Sequence, residues 1–341
     1  MTSTLEAKVN IGDEAFRIID DNRDVLGGEL QIEDLEVEFP YLSMELAHEF
    51  GARGLFLARA DENAAGTFKL RGAYVGTYKQ KERGVTRRRL HSAGNFASGA
   101  AYAGALLDME THIYVPRSAP FEKREGLYRF GKRPLINIYS VGTTLQHAHN
   151  EMNLHPEHGE PFHPFNDPDV IAGQGTIADD LIHALPNVDH IVVPVGGGGL
   201  LAGMRQRLDE LGKQDVILHG VEAEGSNSMS LSLKAGSVSS ADRPNIRYGG
   251  SAVERVGDQT LRICMNACNR VQLWSVTDDE VDTVMSSYQQ SRDILERLRI
   301  PAYEPTTLVA IAGLRHIAQH YSDDTIAVIG TGHNAPLPTY T

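Results

Sequence analysis

The chain has 341 residues, with 32 Lys and Arg against 45 Asp and Glu and a net charge of −13. At roughly 100–200 residues per domain, this length gives about two domains or one large α/β unit, enough to bury a core without staples. The acidic balance argues against a nucleic-acid partner, whose phosphates need a basic surface, and against electrostatic docking on anionic membranes.

No apolar run reaches the roughly 18 residues of a membrane span. Residues 1–21 contain no basic region followed by an apolar one, so no signal peptide is predicted. The strongly acidic first 40 residues read as a solvated entry helix and loop. The elements predicted after them run in the order strand 55–60, helices 72–80 and 96–107, strand 111–115, helix 121–130, strand 135–139, and helices 142–153 and 176–185. Strand 190–195, helix 200–211, strand 216–221, helix 257–269, strand 271–276, helices 278–299 and 306–320, and strand 325–329 complete the chain. Asp278 and Asp279 read as the N-cap and first-turn acid of their helix, and Pro301 ends it. Several strands are unalternated and β-branched, as in strands covered on both faces. The alternation of strand and helix implies an open, mostly parallel sheet, or two of them. Cys264 and Cys268 lie four apart in a helical stretch, where a disulfide would cross-link almost nothing. They read as reduced thiols of a cytoplasmic protein.

Four stretches carry chemistry. Val193-Pro-Val-Gly-Gly-Gly-Gly-Leu-Leu runs from a strand through Gly196, Gly197, Gly198 and Gly199 into a helix. Without Cβ atoms, backbone N–H groups can approach an anion, and the helix N-terminus adds favourable partial charge. Neither a Walker loop nor the G-x-G-x-x-G fingerprint fits this spacing. In Gly66-Thr-Phe-Lys-Leu-Arg-Gly-Ala, Lys69 is either a solvated surface charge or an amine whose pKa is lowered by apolar neighbours. His91-Ser-Ala-Gly-Asn-Phe opens a helix rich in small residues. It is either a capping turn or a set of N–H donors for a carboxylate. Ile329-Gly-Thr-Gly-His-Asn puts Thr331 at the tip of a loop after a strand, where α/β proteins bind ligands. A phosphate cradle, an apolar lysine and a carboxylate loop in one chain suggest pyridoxal phosphate and an amino-acid substrate.

From about Tyr41 to Asn334 the chain resembles the fold-type II pyridoxal-phosphate enzymes, the tryptophan synthase β-like superfamily, and within it the threonine/serine dehydratase branch. The residues that carry the resemblance are Phe68-Lys69-Leu-Arg-Gly-Ala, Ser92-Ala-Gly-Asn, His163-Pro-Phe-Asn-Asp-Pro, Ile171-Ala-Gly-Gln-Gly-Thr-Ile, Gly196–Gly199 and Gly249-Gly-Ser-Ala-Val. The resemblance implies two open, mostly parallel α/β domains with the cofactor in the cleft between them. A large domain would comprise residues 1–74 and 171–341, with a small mobile domain at 75–170 inserted in it. Lys69 would form the Schiff base and move the substrate α-proton, with Ser92 as a further catalytic residue. Phe68, Asn95, Gly196 to Gly199, Leu200, Glu304 and Thr331 would hold the cofactor, Asn95 at its ring hydroxyl, Glu304 at the ring edge and Thr331 at the pyridine nitrogen. Ser92, Ala93, Gly94 and Asn95 would hold the substrate carboxylate.

A hydroxyl at the pyridine nitrogen does not favour ring protonation as an aspartate would, and the weaker electron sink suits prompt β-elimination. The implied activity is a lyase of the ammonia-lyase type. It would dehydrate a β-hydroxy amino acid of the threonine/serine kind to a 2-oxo acid and ammonia. The alternative is a β-replacement synthase that captures the unsaturated intermediate with a nucleophile. The resemblance also implies a homodimer or larger assembly in the cytoplasm.

Departures from the family pattern cluster around the pocket. Ala58-Arg-Ala-Asp61 stands for Lys-Arg-Glu-Asp, Phe96 for His, Glu304-Pro-Thr-Thr for Glu-Pro-Ser-Gly, and Thr331-Gly-His-Asn for Ser-Gly-Gly-Asn. They bear on the substrate more than on the cofactor. The opposite-face serine of the racemases has no clear counterpart. A regulatory domain after Asn334, and feedback of that kind, are not expected. His147, His149, His155, His158 and His163 lie close in sequence but without regular ligand spacing, so no metal is predicted. Glu222 resembles a cation-ligand position of some relatives, but Ser226 and Ser228 stand where later acidic partners would be, so a structural cation is not predicted.

Overall fold

The computed structural model describes residues 10–333 apart from Arg53, Ala93, Pro120, Lys132 and residues 298–301. Pro301, Asn334 and the N-terminal nine residues therefore lie outside it. The elements are α1 (Ile11–Asp20), α2 (Arg23–Leu26), β1 (Gln31–Asp34), α3 (Leu35–Glu38), α4 (Pro40–Phe50), β2 (Leu55–Arg59), α5 (Lys69–Glu82), β3 (Arg87–His91), α6 (Asn95–Leu106), β4 (Glu110–Pro116), α7 (Phe121–Gly126), β5 (Ile136–Val141) and α8 (Leu145–Asn153). They continue with β6 (Glu160–Pro161), α9 (Pro168–Ala184), β7 (His190–Pro194), α10 (Gly199–Glu210), β8 (Ile217–Ala223), α11 (Ser228–Ala235), α12 (Asp258–Asn266), β9 (Val271–Val276), α13 (Asp278–Arg297), α14 (Pro305–Ala318) and β10 (Ile326–Gly330). None of the described helices is long and apolar enough to cross a membrane.

The strands form two sheets, ordered β1-β2-β10-β7-β8-β9 and β5-β4-β3-β6. Every pairing is parallel except β1 with β2 at one edge. The larger sheet is apolar on both faces because successive side chains alternate. Leu57, Val192 and Val328 enter one core with α14, while Ala58, Val193 and Ile329 enter the other with α9 and α10. A third core joins Leu90, Ile113 and Ile136 of the smaller sheet to Phe96 and Phe162.

All seven predicted strands are present, within one or two residues at their ends, as expected for runs of buried β-branched residues. β1, β3 and β6 were not predicted. β3 reads Arg-Arg-Arg-Leu-His, yet Arg88 is fully buried, its guanidinium lying over the Phe162 ring at 4.3 Å. It donates to Thr111 Oγ1 (3.2 Å), Ala100 O (2.6 Å) and Thr77 Oγ1, and burial pushes its pKa down to about 9.

Three expectations are corrected. The acidic N-terminal stretch is not simply solvated, because α1 buries Ala15, Ile18 and Ile19 in a core shared with Leu70, Tyr74 and Ala172. The Arg23 guanidinium just beyond α1 donates to Asp180 (2.6 Å). The helix predicted at 176–185 begins at Pro168, where Asp167 accepts from the N–H groups of Asp169 (2.9 Å) and Val170 (3.1 Å). Thr277, not Asp278, caps α13. Its hydroxyl accepts from Glu280 N–H (3.2 Å), while the Glu280 carboxylate accepts from Thr277 N–H (2.7 Å), a reciprocal capping box.

Candidate active site

Lys69 is the first residue of α5, at the C-terminal side of β2. The segment before it is bound to the loop after β10. Thr67 and Gly332 form an antiparallel bridge, and Phe68 N–H donates to Thr331 O (3.0 Å). The Lys69 ammonium stands 4.6 Å from the centroid of the buried Phe68 ring. Desolvation pushes its pKa down to about 8, against the opposing pull of the Glu304 carboxylate.

Glu304 immediately precedes α14 and is buried. Its N–H donates to Gly332 O (3.0 Å), and its Oε1 accepts from the Asn95 amide. A Cβ at position 332 would lie 2.4 Å from Glu304 Oε1 and 2.9 Å from Asn95 Nδ2, so glycine there lets three segments meet. Thr331 is fully buried, its hydroxyl 3.0 Å from Thr307 Oγ1 and 3.5 Å from Glu304 Oε1.

Gly94 precedes α6 and brings no side-chain cap. Ser92 N–H donates to Tyr114 O (3.1 Å), and Ser92 Oγ accepts from Gly94 N–H (3.3 Å). The N–H groups of Asn95 and Phe96 donate to nothing among the described residues. Ala93 is outside those residues.

The glycine loop joins β7 to α10, with Gly198 in the left-handed region at φ +87°. A Cβ at Gly196 would stand 2.2 Å from Gly250 O, and one at Gly197 would stand 2.3 Å from the Phe165 ring. The four glycines are thus required by close packing. The N–H groups of residues 196–200 find no acceptor among the described residues, although Gly197, Gly198, Gly199 and Leu200 are buried. Orphan buried donors at a helix N-terminus are the donor set a phosphate dianion requires. Together with a lysine of lowered pKa and a buried hydroxyl at Thr331, the residues present fit pyridoxal phosphate.

Sequence reasoning missed several neighbours. Phe165 covers the glycine loop; its signal was present in His163-Pro-Phe but carried no stated role. His163 Nδ1 accepts from the N–H groups of Phe165 (3.3 Å) and Asn166 (2.9 Å). His149 Nδ1 lies 3.3 Å from His91 Nδ1, just before the carboxylate loop. Burial, with His149 and His163, pushes His91 down to about 4; burial, His149 and Lys69 do the same for His163. His333, at a position where relatives carry glycine, pairs with Asp61 (2.8 Å). Of the other histidines in the sequence cluster, His155 and His158 stay together, their rings stacked at 5.2 Å. His155 pairs with Glu157 (2.8 Å), and His158 Nδ1 bonds the Tyr114 hydroxyl (2.6 Å), with ligand atoms of His155, Glu157 and His158 within 4.8 Å of one another. Glu222 caps α11, its oxygens accepting from the N–H groups of Met229 (2.8 Å) and Ser230 (2.9 Å).

Residues 33–332 match the family described as pyridoxal-phosphate dependent enzyme. The chain is 32% identical over 316 residues to the biosynthetic L-threonine dehydratase of Pasteurella multocida, covering 91% of this chain and 58% of that protein. It is 29% identical over 310 residues to an L-threo-3-hydroxyaspartate ammonia-lyase of a Pseudomonas species, covering 88% and 90%. The chain spans about half to two thirds of the length of the first biosynthetic dehydratases it matches. Its fold is similar to that of the processed form of threonine deaminase isoform 2 from Solanum lycopersicum, with a TM-score of 0.77 and 27% identity over 95% of this chain and 90% of that one. Maize serine racemase shares the fold with a TM-score of 0.79 at 23% identity, over 95% and 94%. A family match over nearly the whole chain, on a glycine loop of orphan donors and a lysine of lowered pKa, leads to one conclusion: this chain belongs to the pyridoxal-phosphate dependent enzymes.

Proposed function

We propose that this chain deaminates a β-hydroxy amino acid of the threonine/serine class by α,β-elimination, giving a 2-oxo acid and ammonia. The observation that carries the reading is Lys69, a buried amine with its pKa lowered to about 8 by desolvation, which follows directly on Thr67 and Phe68, the residues whose backbones bind the Thr331 loop. The similarity to the Pseudomonas ammonia-lyase and the Pasteurella dehydratase supports the reaction class.

Bound pyridoxal phosphate supplies an electron sink that acidifies the substrate α C–H. Lys69 holds the cofactor and takes the α-proton at Nζ, and the lowered pKa keeps a neutral amine accessible near neutral pH. The orphan N–H groups of residues 196–200 bind the phosphate. In the carboxylate loop of Ser92, Gly94 and Asn95, the N–H groups left for the substrate carboxylate are those of Asn95 and Phe96, since Ser92 N–H is held by Tyr114 O and Gly94 N–H by Ser92 Oγ. Thr331 would offer a hydroxyl rather than a carboxylate to the ring nitrogen, and a cofactor held this way would supply a moderate electron sink suited to elimination. Phe68 packs beside the Lys69 amine and Phe165 packs on Gly197 and Gly199 of the glycine loop.

The residues at 75–170 form the small mobile domain, whose movement relative to 1–74 and 171–341 closes the site over substrate. The working form is a homodimer or larger assembly in the cytoplasm. The test is release of 2-oxo acid by purified protein with added pyridoxal phosphate and a panel of L- and D-β-hydroxy amino acids, without a nucleophile. Release from an L-β-hydroxy amino acid is expected. A spectral change with little oxo acid released would instead favour β-replacement and contradict the proposal.

A further inference from the structure

The geometry points to Thr307 as a positioning residue: its hydroxyl donates to Thr331 Oγ1 and thereby commits the Thr331 proton to the pyridine nitrogen of the cofactor. This rests on the assignment of Thr331 to that nitrogen. Position 307 is a departure from the family pattern, a threonine where relatives carry glycine, and the resemblance gives it no role.

The argument is a count of donors and acceptors. Thr307 and Thr331 are both fully buried. Thr307 Oγ1 accepts from Thr331 N–H at 3.0 Å, and the two hydroxyl oxygens are 3.0 Å apart. A hydroxyl carries one proton and accepts through its lone pairs. A helical threonine commonly sends its proton back to the carbonyl one turn earlier. Thr77 does so, to Ala73 O in α5, and Thr306 sends its own to Tyr248 O (2.8 Å). Among the described residues Thr307 makes no such bond, and Thr331 Oγ1 is the only acceptor for its proton. The opposite arrangement, with Thr331 donating to Thr307, would leave the proton of the fully buried Thr307 hydroxyl unpaired, which buried hydroxyls avoid.

With Thr307 as donor, the Thr331 proton must leave the pair. Among the described residues the further acceptor is Glu304 Oε1, at 3.5 Å, the limit of a hydrogen bond, and that oxygen already accepts from the Asn95 amide. The proton is therefore available to a lone pair at the ring nitrogen. A donor fixed there favours the unprotonated ring, the state that keeps the electron sink moderate. Thr307 thus acts through Thr331 and need not touch the cofactor.

The experiment compares wild type, Thr307→Val and Thr307→Ser, each loaded with pyridoxal phosphate carrying 15N in the ring. Two quantities are read without substrate: the 15N shift of the ring nitrogen and the dissociation constant for the cofactor. Wild type and Thr307→Ser are expected to show an unprotonated, hydrogen-bonded nitrogen. Thr307→Val, which keeps the shape and removes the donor, is expected to move the signal toward the protonated range. Its cofactor binding is expected to weaken roughly three- to tenfold, as for one lost hydrogen bond. If Thr307→Val does not fold, Thr307→Ala reads the same loss. A signal in the hydroxyl-free variant that matches wild type overturns the inference, as does a shift that serine does not restore. Because no substrate is present, absence of 2-oxo acid release leaves this readout standing, whereas a wild type that takes up no cofactor sinks both readings.

Discussion

The Asn95 amide donates to Oε1 of Glu304, 209 residues away, and so ties the first residue of α6 to the residue that caps α14. The same Glu304 supplies the charge that opposes desolvation at Lys69. The role proposed for Lys69, attachment to the cofactor aldehyde, would need the neutral amine. The rate at which apoenzyme takes up pyridoxal phosphate should therefore rise with pH and level off above about 8, as followed by rapid-mixing absorbance. Glu304→Gln removes the stabiliser of the ammonium and should move that midpoint below 8. A midpoint in the ordinary lysine range in wild type would contradict the environment described for Lys69.

Asp61 and His333 are both departures or neighbours of departures from the family pattern, and they meet. The Asp61 carboxylate is fully buried, accepting from the His333 ring (2.8 Å) and from Arg59 (3.1 Å). Burial pushes its pKa up, but the His333 and Arg59 donors outweigh burial and hold it below the usual carboxylate value. Its stabilisation is therefore present above the ordinary carboxylate range and lost as pH falls through the depressed value. Asp61→Ala should cost about 3 kcal/mol in urea unfolding at neutral pH, the low end for breaking a buried pair. The low end applies because Arg59 keeps Glu62 at 3.1 Å. The variant should also show a shallower loss of stability in acid.

Gly197→Ala places a methyl group where the Phe165 ring stands. The ring or the loop must move, and the orphan N–H groups lose their arrangement. Cofactor affinity should fall by about tenfold or more, on the order of the 1.4 kcal/mol that a tenfold change represents. Adding Phe165→Ala opens the space, so the double variant should recover much of the affinity. Fluorescence titration with pyridoxal phosphate measures both. Losses that simply add would show that Phe165 is not what restricts position 197.

His219 is fully buried, accepting from the Trp274 indole N–H (2.8 Å) at Nδ1 and bonded through Nε2 to His190 (2.8 Å). Burial, with the neighbouring His190, pushes its pKa down to about 3. Protonation would turn the Nδ1 acceptor into a donor against the indole. Its contribution to stability is full above the usual histidine range and is lost as pH falls through that range toward about 3. Stability measured by urea unfolding should drop between about pH 6 and 4, and His219→Gln should flatten that slope while lowering stability at neutral pH. An unchanged slope would show that His219 does not set it.

The parts legible in the sequence were those governed by one local rule. Central strands such as His190–Pro194 show themselves as short unbroken apolar runs. The glycine loop and Lys69 were legible because backbone approach and an apolar setting leave marks on adjacent residues. β3 was hidden because Arg88 is buried by partners on other elements, which no local pattern records. α1 was masked by its surface acids, although Ala15, Ile18 and Ile19 lie on one face. The Thr277-Asp-Asp-Glu280 capping box is legible in the sequence, but the two aspartates between its partners imitate a cap of their own. The links of Asn95 to Glu304, Asp61 to His333 and Thr307 to Thr331 join residues far apart in the chain, so their departures from the family pattern could be seen but their pairing could not.

The central claim, that Lys69 is the residue that holds the cofactor, is tested most directly by reducing the protein loaded with pyridoxal phosphate with borohydride, digesting it and mapping the added mass by mass spectrometry. The account predicts a phosphopyridoxyl group on Lys69, and none elsewhere in wild type. An adduct on another lysine, or unmodified Lys69 in a protein that has retained its cofactor, would contradict it.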